Sequence, residues 1–210
     1  MCLSLLSLMI YLLFRAVSKS EGWARVLSEF AFVTAFLLYG RGLKGMSADQ
    51  LGLKVSLRHW TWTVILIPIA TVGYLLVLCL VHESYAKLLS LRVRTLTICW
   101  ASWAYLDKAE ALRWLCHATL INVCEELLFR GALLGCLLHS FPRFSAIWIQ
   151  ACLFGSAHYI VWGRDAVMPA CFFGLVTGWM MVRLRSLIPC IAVHIALSWI
   201  LILWFWGPRR

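Results

Sequence analysis

Charge is what this chain has least of. Only 13% of its 210 residues are charged, where an ordinary soluble domain carries about 25%. Asp and Glu together number 9. A surface that poor in charge does not suit water. The excess of basic residues, a net +10, forms no long face or tail, and this argues against nucleic acid as a partner. The Lys and Arg fall in short clusters between apolar runs, where they serve as anchors at lipid headgroups. The 9 cysteines are an odd number, with no CxxC pair, no zinc-finger spacing and no small secreted disulfide framework. Most of them (Cys79, Cys99, Cys116, Cys124, Cys152, Cys171, Cys190) lie inside apolar runs and read as small packing residues. There is no HExxH motif, no internal repeat and no separate soluble segment. A cleaved signal would carry its charge before an apolar core. Here Arg15, Lys19 and Arg25 follow the apolar run Met1 to Val17, so a retained first helix is expected.

What is present is long apolar sequence: 63% of residues are hydrophobic, with 12 Trp and 6 Tyr to sit at the interfaces. Further runs are Val26 to Tyr39, Trp60 to Val81, Thr95 to Leu106, Trp114 to Leu138, Ala146 to Trp162, Ala166 to Val182 and Ser186 to Trp206. At about 20 residues per crossing, these predict an all-α, polytopic membrane bundle of about seven to eight helices. Residues 1–210 would form a single integral membrane domain, with a catalytic core over about residues 113–206. Thr95 to Leu106 is short for a span. Ser47 to Lys54 reads as an amphipathic connector. Pro68 and Gly73 mark a bend in the third run, and Gly174/Gly178 a close helix approach. Basic residues occur in almost every connection, so charge asymmetry assigns no side of the membrane.

Against this background, Cys124-Glu125-Glu126-Leu127-Leu128-Phe129-Arg130 stands out. An ionised group near a bilayer centre costs roughly 2.5–3.5 kcal/mol on insertion scales. Glu126 and Arg130 are four apart and share a helix face, so they neutralise one another and read as a scaffold. Glu125 lies about 100° round the helix, with no opposite charge at helical spacing, so it must look across the bundle. The polar side chains it can meet there are His158 and His194. Phe154 and His158 are four apart, as are His194 and Ser198, each on its own apolar helix. A lone buried His is usually a hydrogen-bonder in packing, and a Glu–Arg pair is usually structural. Their coincidence on neighbouring helices points to a site. A carboxylate held beside imidazole can take a proton from water, as a general base must. Asn122 suits a hydrogen bond within its helix or a tuning role. Cys124 and Ser156 have no base at helical spacing and are weaker candidates.

Taken together, Glu125-Glu126-x-x-x-Arg130, Phe154-x-x-x-His158 and His194-x-x-x-Ser198 resemble the three-motif signature of the CAAX-protease and bacteriocin-processing (Abi) family of intramembrane glutamic endopeptidases. The likeness extends from about Leu115 to Ser198, and Leu51-Gly52-Leu53 resembles a connector found upstream in that family. It implies an endopeptidase acting on a membrane-associated peptide or protein. Glu125, assisted by His158, would activate water. His194, with Ser198, would stabilise the oxyanion. Glu126, Arg130 and Phe154 would support the site. The family usually has Asn or Asp where this chain has Ser198, and serine offers one hydroxyl of shorter reach. The resemblance implies no cofactor and no metal. If a metal were used, Glu125, His158 and His194 would form a His₂Glu zinc set. Expected partners are membrane lipids and a substrate near its membrane anchor. The compact chain suggests a multi-pass protein of a prokaryotic inner membrane. The rival readings are a proton-coupled transporter, disfavoured by the absence of repeated halves, and a non-catalytic scaffold or immunity-type protein of the same fold.

Overall fold

The computed structural model describes residues 56–81 and 108–205. The expected helices before Trp60, the Ser47 to Lys54 connector and the Thr95 to Leu106 segment lie outside those residues. Every regular element described is helical, and the helices form five rods. The first is α1, Leu57–Val81. The second combines α2 (Lys108–Glu126), a π-helical segment (Leu127–Leu133) and α3 (Leu134–Ser140). Then follow α4 (Arg143–Trp162), a single 3-10 turn (Arg164–Ala166), α5 (Val167–Leu184) and α6 (Leu187–Phe205). Two segments, Leu57–Val81 and Arg164–Leu184, are long and apolar enough to cross a membrane, and Leu187–Leu203 is a shorter apolar helix.

α1 runs unbroken through Pro68 and Gly73. The bend expected there does not end the helix, since neighbouring helices and local adjustment tolerate proline inside a membrane helix. Leu66 and Ala70 face inward, while Val64, Ile65, Ile69, Val72, Leu76 and Leu80 stay exposed. In water that row would be a large apolar patch. In a bilayer it is an ordinary lipid face.

The α2–α3 rod begins six residues earlier than the apolar run suggests, at Lys108. Its polar start belongs to the helix. The widened π segment begins directly after Glu126, and the Leu134 N–H reaches back five residues to the Phe129 carbonyl. Leu127, Leu128, Phe129, Arg130, Ala132 and Leu133 are all buried. A stretch covered nearly all round has no solvent face to set a 3.6-residue stripe. π turns of this kind are uncommon and often mark functional sites.

α4 and α5 form an antiparallel hairpin. Gly163 ends α4 at φ 79°, a conformation that favours glycine. The two helices then meet through small residues. A Cβ at Gly174 would lie 2.9 Å from the Ala151 Cα. A Cβ at Gly155 would lie 2.2 Å from the Cys171 Sγ and 2.8 Å from the Val167 carbonyl. This close approach brings α4's Phe154 against α5's Phe173, with ring centroids 6.2 Å apart. α1 and α6 pack on the outer side of α5, and α2 lies along α6.

The close approach has a measurable consequence. Gly155→Val is expected to lower the stability of the detergent-solubilised protein by about 1–3 kcal/mol, the usual range for overpacking. Gly135→Ala, where a Cβ meets nothing within 4 Å, should be neutral or stabilising by up to about 1 kcal/mol. Equal unfolding midpoints for the two variants would refute the packing described.

Candidate active site

Arg130 lies at the centre, with no exposed surface. Its Nη1 is 3.0 Å from Glu126 Oε1, an ion pair between two fully buried groups. Its hydrogen bond runs from Nη2 to the Thr177 hydroxyl on α5. Thr177 in turn donates to the Phe173 carbonyl at 2.8 Å, so its oxygen is left as an acceptor for the guanidinium. The Arg130 Cζ stands 4.2 Å from the Phe154 ring centroid and 5.7 Å from that of Phe173. Aromatic faces are favourable surroundings for a cation taken out of water. Charge, hydroxyl and rings from three rods thus close around one side chain.

Glu126 does more than brace Arg130. The same Oε1 is 2.8 Å from His194 Nδ1. A carboxylate only accepts, so Nδ1 carries the proton and Nε2 is the free end of that ring. His158 is arranged alike. Its Nδ1 lies 3.0 Å from the Phe154 carbonyl, which also only accepts, so Nδ1 carries a proton here too and Nε2 is the far end of the ring. Both Nε2 atoms lie 4.0 Å from one oxygen of Glu125, Oε2. Glu125 itself is buried, at 2% exposure. The two neighbouring glutamates therefore face different partners, as the 100° step between them requires.

Phe154 is the ring all of these share. Its centroid is 4.5 Å from that of His158, 5.0 Å from Phe129 and 6.0 Å from His194. Phe173 stacks on His194 from the other side at 4.6 Å. Sequence reasoning did not single out Phe173 or Thr177. Their signal was weak: they flank or lie within the Gly174/Gly178 spacing, which speaks only for close packing of the helix. Of the two roles expected for Asn122, a bond within its helix or tuning of the site, the first is not what is seen: its Nδ2 donates across the bundle to the His194 carbonyl at 3.3 Å. Ser198 is half-buried on the turn after His194. Cys124 joins an apolar cluster with Leu127 and Leu187, and Ser156 is exposed away from the carboxylates. Among the described residues no group of three or more His, Cys, Asp or Glu is placed to hold a metal ion.

The buried Glu/His cluster lies in the part of the chain that is similar to a known family. Residues 107–200 match the family described as type II CAAX prenyl endopeptidase Rce1-like. That segment contains all of Glu125–Arg130, Phe154–His158 and His194–Ser198. No curated protein and no solved structure matches the chain.

The buried pair sets a stability prediction. Glu126→Leu strands the Arg130 charge and should destabilise the fold by about 3–5 kcal/mol. Glu126→Leu combined with Arg130→Leu should lie closer to wild type than Glu126→Leu alone, because no charge is left unpaired. Unfolding in mixed micelles measures both, and a double variant less stable than the single one contradicts the account.

Proposed function

We propose that this protein is an intramembrane endopeptidase that hydrolyses a peptide bond of a membrane-associated substrate with water activated by Glu125 and His158. The observation that carries the reading is the convergence of the Nε2 atoms of His158 and His194 on Glu125 Oε2, each at 4.0 Å. That separation is too long for a hydrogen bond. It is about what one water spans when it bonds both ends at about 2.8 Å. A water there would give one proton to Glu125 while its oxygen attacks the scissile carbonyl, with His158 Nε2 orienting it. The tetrahedral oxygen would develop charge beside His194, whose Nε2 donates when the ring is protonated. Collapse breaks the C–N bond, and the proton held by Glu125 leaves with the amine.

The chain then acts as a multi-pass integral membrane protein whose partners are lipids and a peptide or protein cut near its anchor, with no nucleic acid and no cofactor. We take the bundle over residues 1–210 as one domain and a prokaryotic inner membrane as its location. The reaction is metal-independent in this reading, so dialysis against a chelator should leave activity unchanged. A zinc site on Glu125, His158 and His194 would reveal itself by loss and by recovery on adding the metal.

Glu125→Ala and His158→Ala are each expected to abolish cleavage without unfolding the protein. Mass spectrometry of membrane proteins from cells carrying wild type or Glu125→Ala should find a new terminus that depends on Glu125, and that terminus identifies the substrate class. Full activity in either variant sinks the glutamate mechanism. Purified protein that moves ions in liposomes and cuts nothing would support a transporter instead.

A further inference from the structure

The fold gathers Arg58, Arg143, Arg183 and Arg185 at one end of the bundle, although the chain carries them far apart. Contacts along α5 set their level. Gly178 faces Ile147 and Gln150 of α4. Arg143, one turn before Ile147, is therefore level with the last turn of α5. Trp62 of α1 meets Trp179, with ring centroids 6.3 Å apart. Arg58 lies one turn before Trp62 and Arg183 one turn after Trp179, so these two are level as well. Arg185 caps the end of α5. All of these side chains are exposed.

Among the described residues that end holds no carboxylate. Glu125 and Glu126 lie in the buried site, Glu110 in the first turn of α2, and Asp165 in the turn between α4 and α5. The last two belong to the opposite end, because α3 passes into α4 through Phe141 and Pro142 at the arginine end. The opposite end mixes signs: Lys108, Arg113 and Arg164 share it with Glu110 and Asp165, and Arg164 Nε is 3.8 Å from Asp165 Oδ1. The ion pairs of the described residues leave the arginine end untouched.

Two further observations say what covers this end. Arg185 has φ 52° and is the one non-glycine residue with positive φ among those described. Glycine takes that conformation without a steric cost and commonly follows a helix in this way. Arginine there keeps a positive charge at a conformational cost. Trp60, Trp148 and Trp179 stay exposed, each within about two turns of one of the arginines. Tryptophan in such a ring marks the membrane–water interface, which sets the guanidinium groups among the lipid phosphates.

We propose that the end formed by Arg58, Arg143, Arg183 and Arg185 is a binding surface for anionic phospholipid, held through the headgroup phosphate. Arginine suits that ligand, because its planar fork can give two hydrogen bonds to phosphate oxygens. A net negative headgroup is preferred to a zwitterionic one because no carboxylate at this end offsets the guanidinium charge. This inference rests on the reading of the chain as an integral membrane protein, and not on the cleavage chemistry.

The test titrates the full chain, delipidated in neutral detergent, with phosphatidylglycerol or with phosphatidylcholine of the same acyl chains, and counts bound lipid by native mass spectrometry. Wild type is expected to bind phosphatidylglycerol at least about tenfold more tightly. Arg183→Gln should weaken that binding about fivefold, and glutamine at all of the arginine positions should abolish the preference. Lysine at the same positions keeps the charge and should hold the affinity within about threefold. Arg185→Gly separates binding from folding: its unfolding midpoint should equal or exceed that of wild type, while its affinity falls about fivefold. Lys108→Gln with Arg113→Gln and Arg164→Gln, at the opposite end, should leave the preference intact. Equal affinity for the two lipids, a preference that survives the all-glutamine variant, or an equal loss from the opposite-end variant overturns the assignment. Displacement of bound phosphatidylglycerol by millimolar inorganic phosphate overturns it in favour of a free phosphate site. None of these outcomes touches the integral membrane reading. A wild type that stays monodisperse in water without detergent or lipid overturns that reading, and this inference with it.

Discussion

A fully buried arginine in an apolar bundle is the constraint from which the rest of the structure follows. Arg130 cannot lose its charge, and an unpaired charge removed from water costs several kcal/mol even after relaxation. The fold answers it with a charge, a hydroxyl and two rings, while the buried guanidinium Nε makes no hydrogen bond. Glu126 balances the charge from one turn away at 3.0 Å, Thr177 accepts a hydrogen bond, and Phe154 and Phe173 offer their ring faces. These groups come from the α2–α3 rod, α4 and α5. Satisfying one side chain therefore fixes three helices relative to one another. α6 is drawn into the same arrangement because Glu126 uses one of its two oxygens, Oε1, twice, for Arg130 and for His194.

Two backbone devices make that convergence possible. The small residues Gly155, Gly174 and Gly178 let α4 and α5 approach until Cβ atoms would collide. Phe154 is thus brought to the guanidinium from one helix and Thr177 from the other. The π segment Leu127–Leu133 widens the turn that carries Arg130. Its side chains then point into the core on nearly all sides, where a regular helix would present a stripe.

Much of this could be read from residue spacing. Glu126 and Arg130 meet because i and i+4 always share a helix face, and that rule needs no tertiary knowledge. The close approach at Gly174 was legible for the same reason, since glycine marks a local backbone requirement. The long-range bonds were not. Thr177 in an apolar helix looks like any small packing residue, and nothing local says that a guanidinium will reach it. Asn122 looked like a within-helix hydrogen-bonder because its partner, the His194 carbonyl, is a backbone atom and leaves no trace in side-chain patterns. The π segment was also hidden, because its hydrogen-bond register is decided by burial on all sides and not by composition. Helix ends were misplaced by a few residues where polar side chains such as Lys108 still belong to the helix.

The division between the two glutamates follows from how the cations are distributed. Glu126 is bound to an arginine and holds a proton donor on His194, so its negative charge is spoken for and it would be a poor base. Glu125 lies one step round the helix and faces the Nε2 ends of two imidazoles, each 4.0 Å from its Oε2. Both rings have their Nδ1 protons held elsewhere, by Glu126 and by the Phe154 carbonyl. Those contacts orient both rings so that each Nε2 faces the same carboxylate oxygen. The scaffold pair therefore does more than hold the helices: by holding His194 it sets which end of the ring faces Glu125.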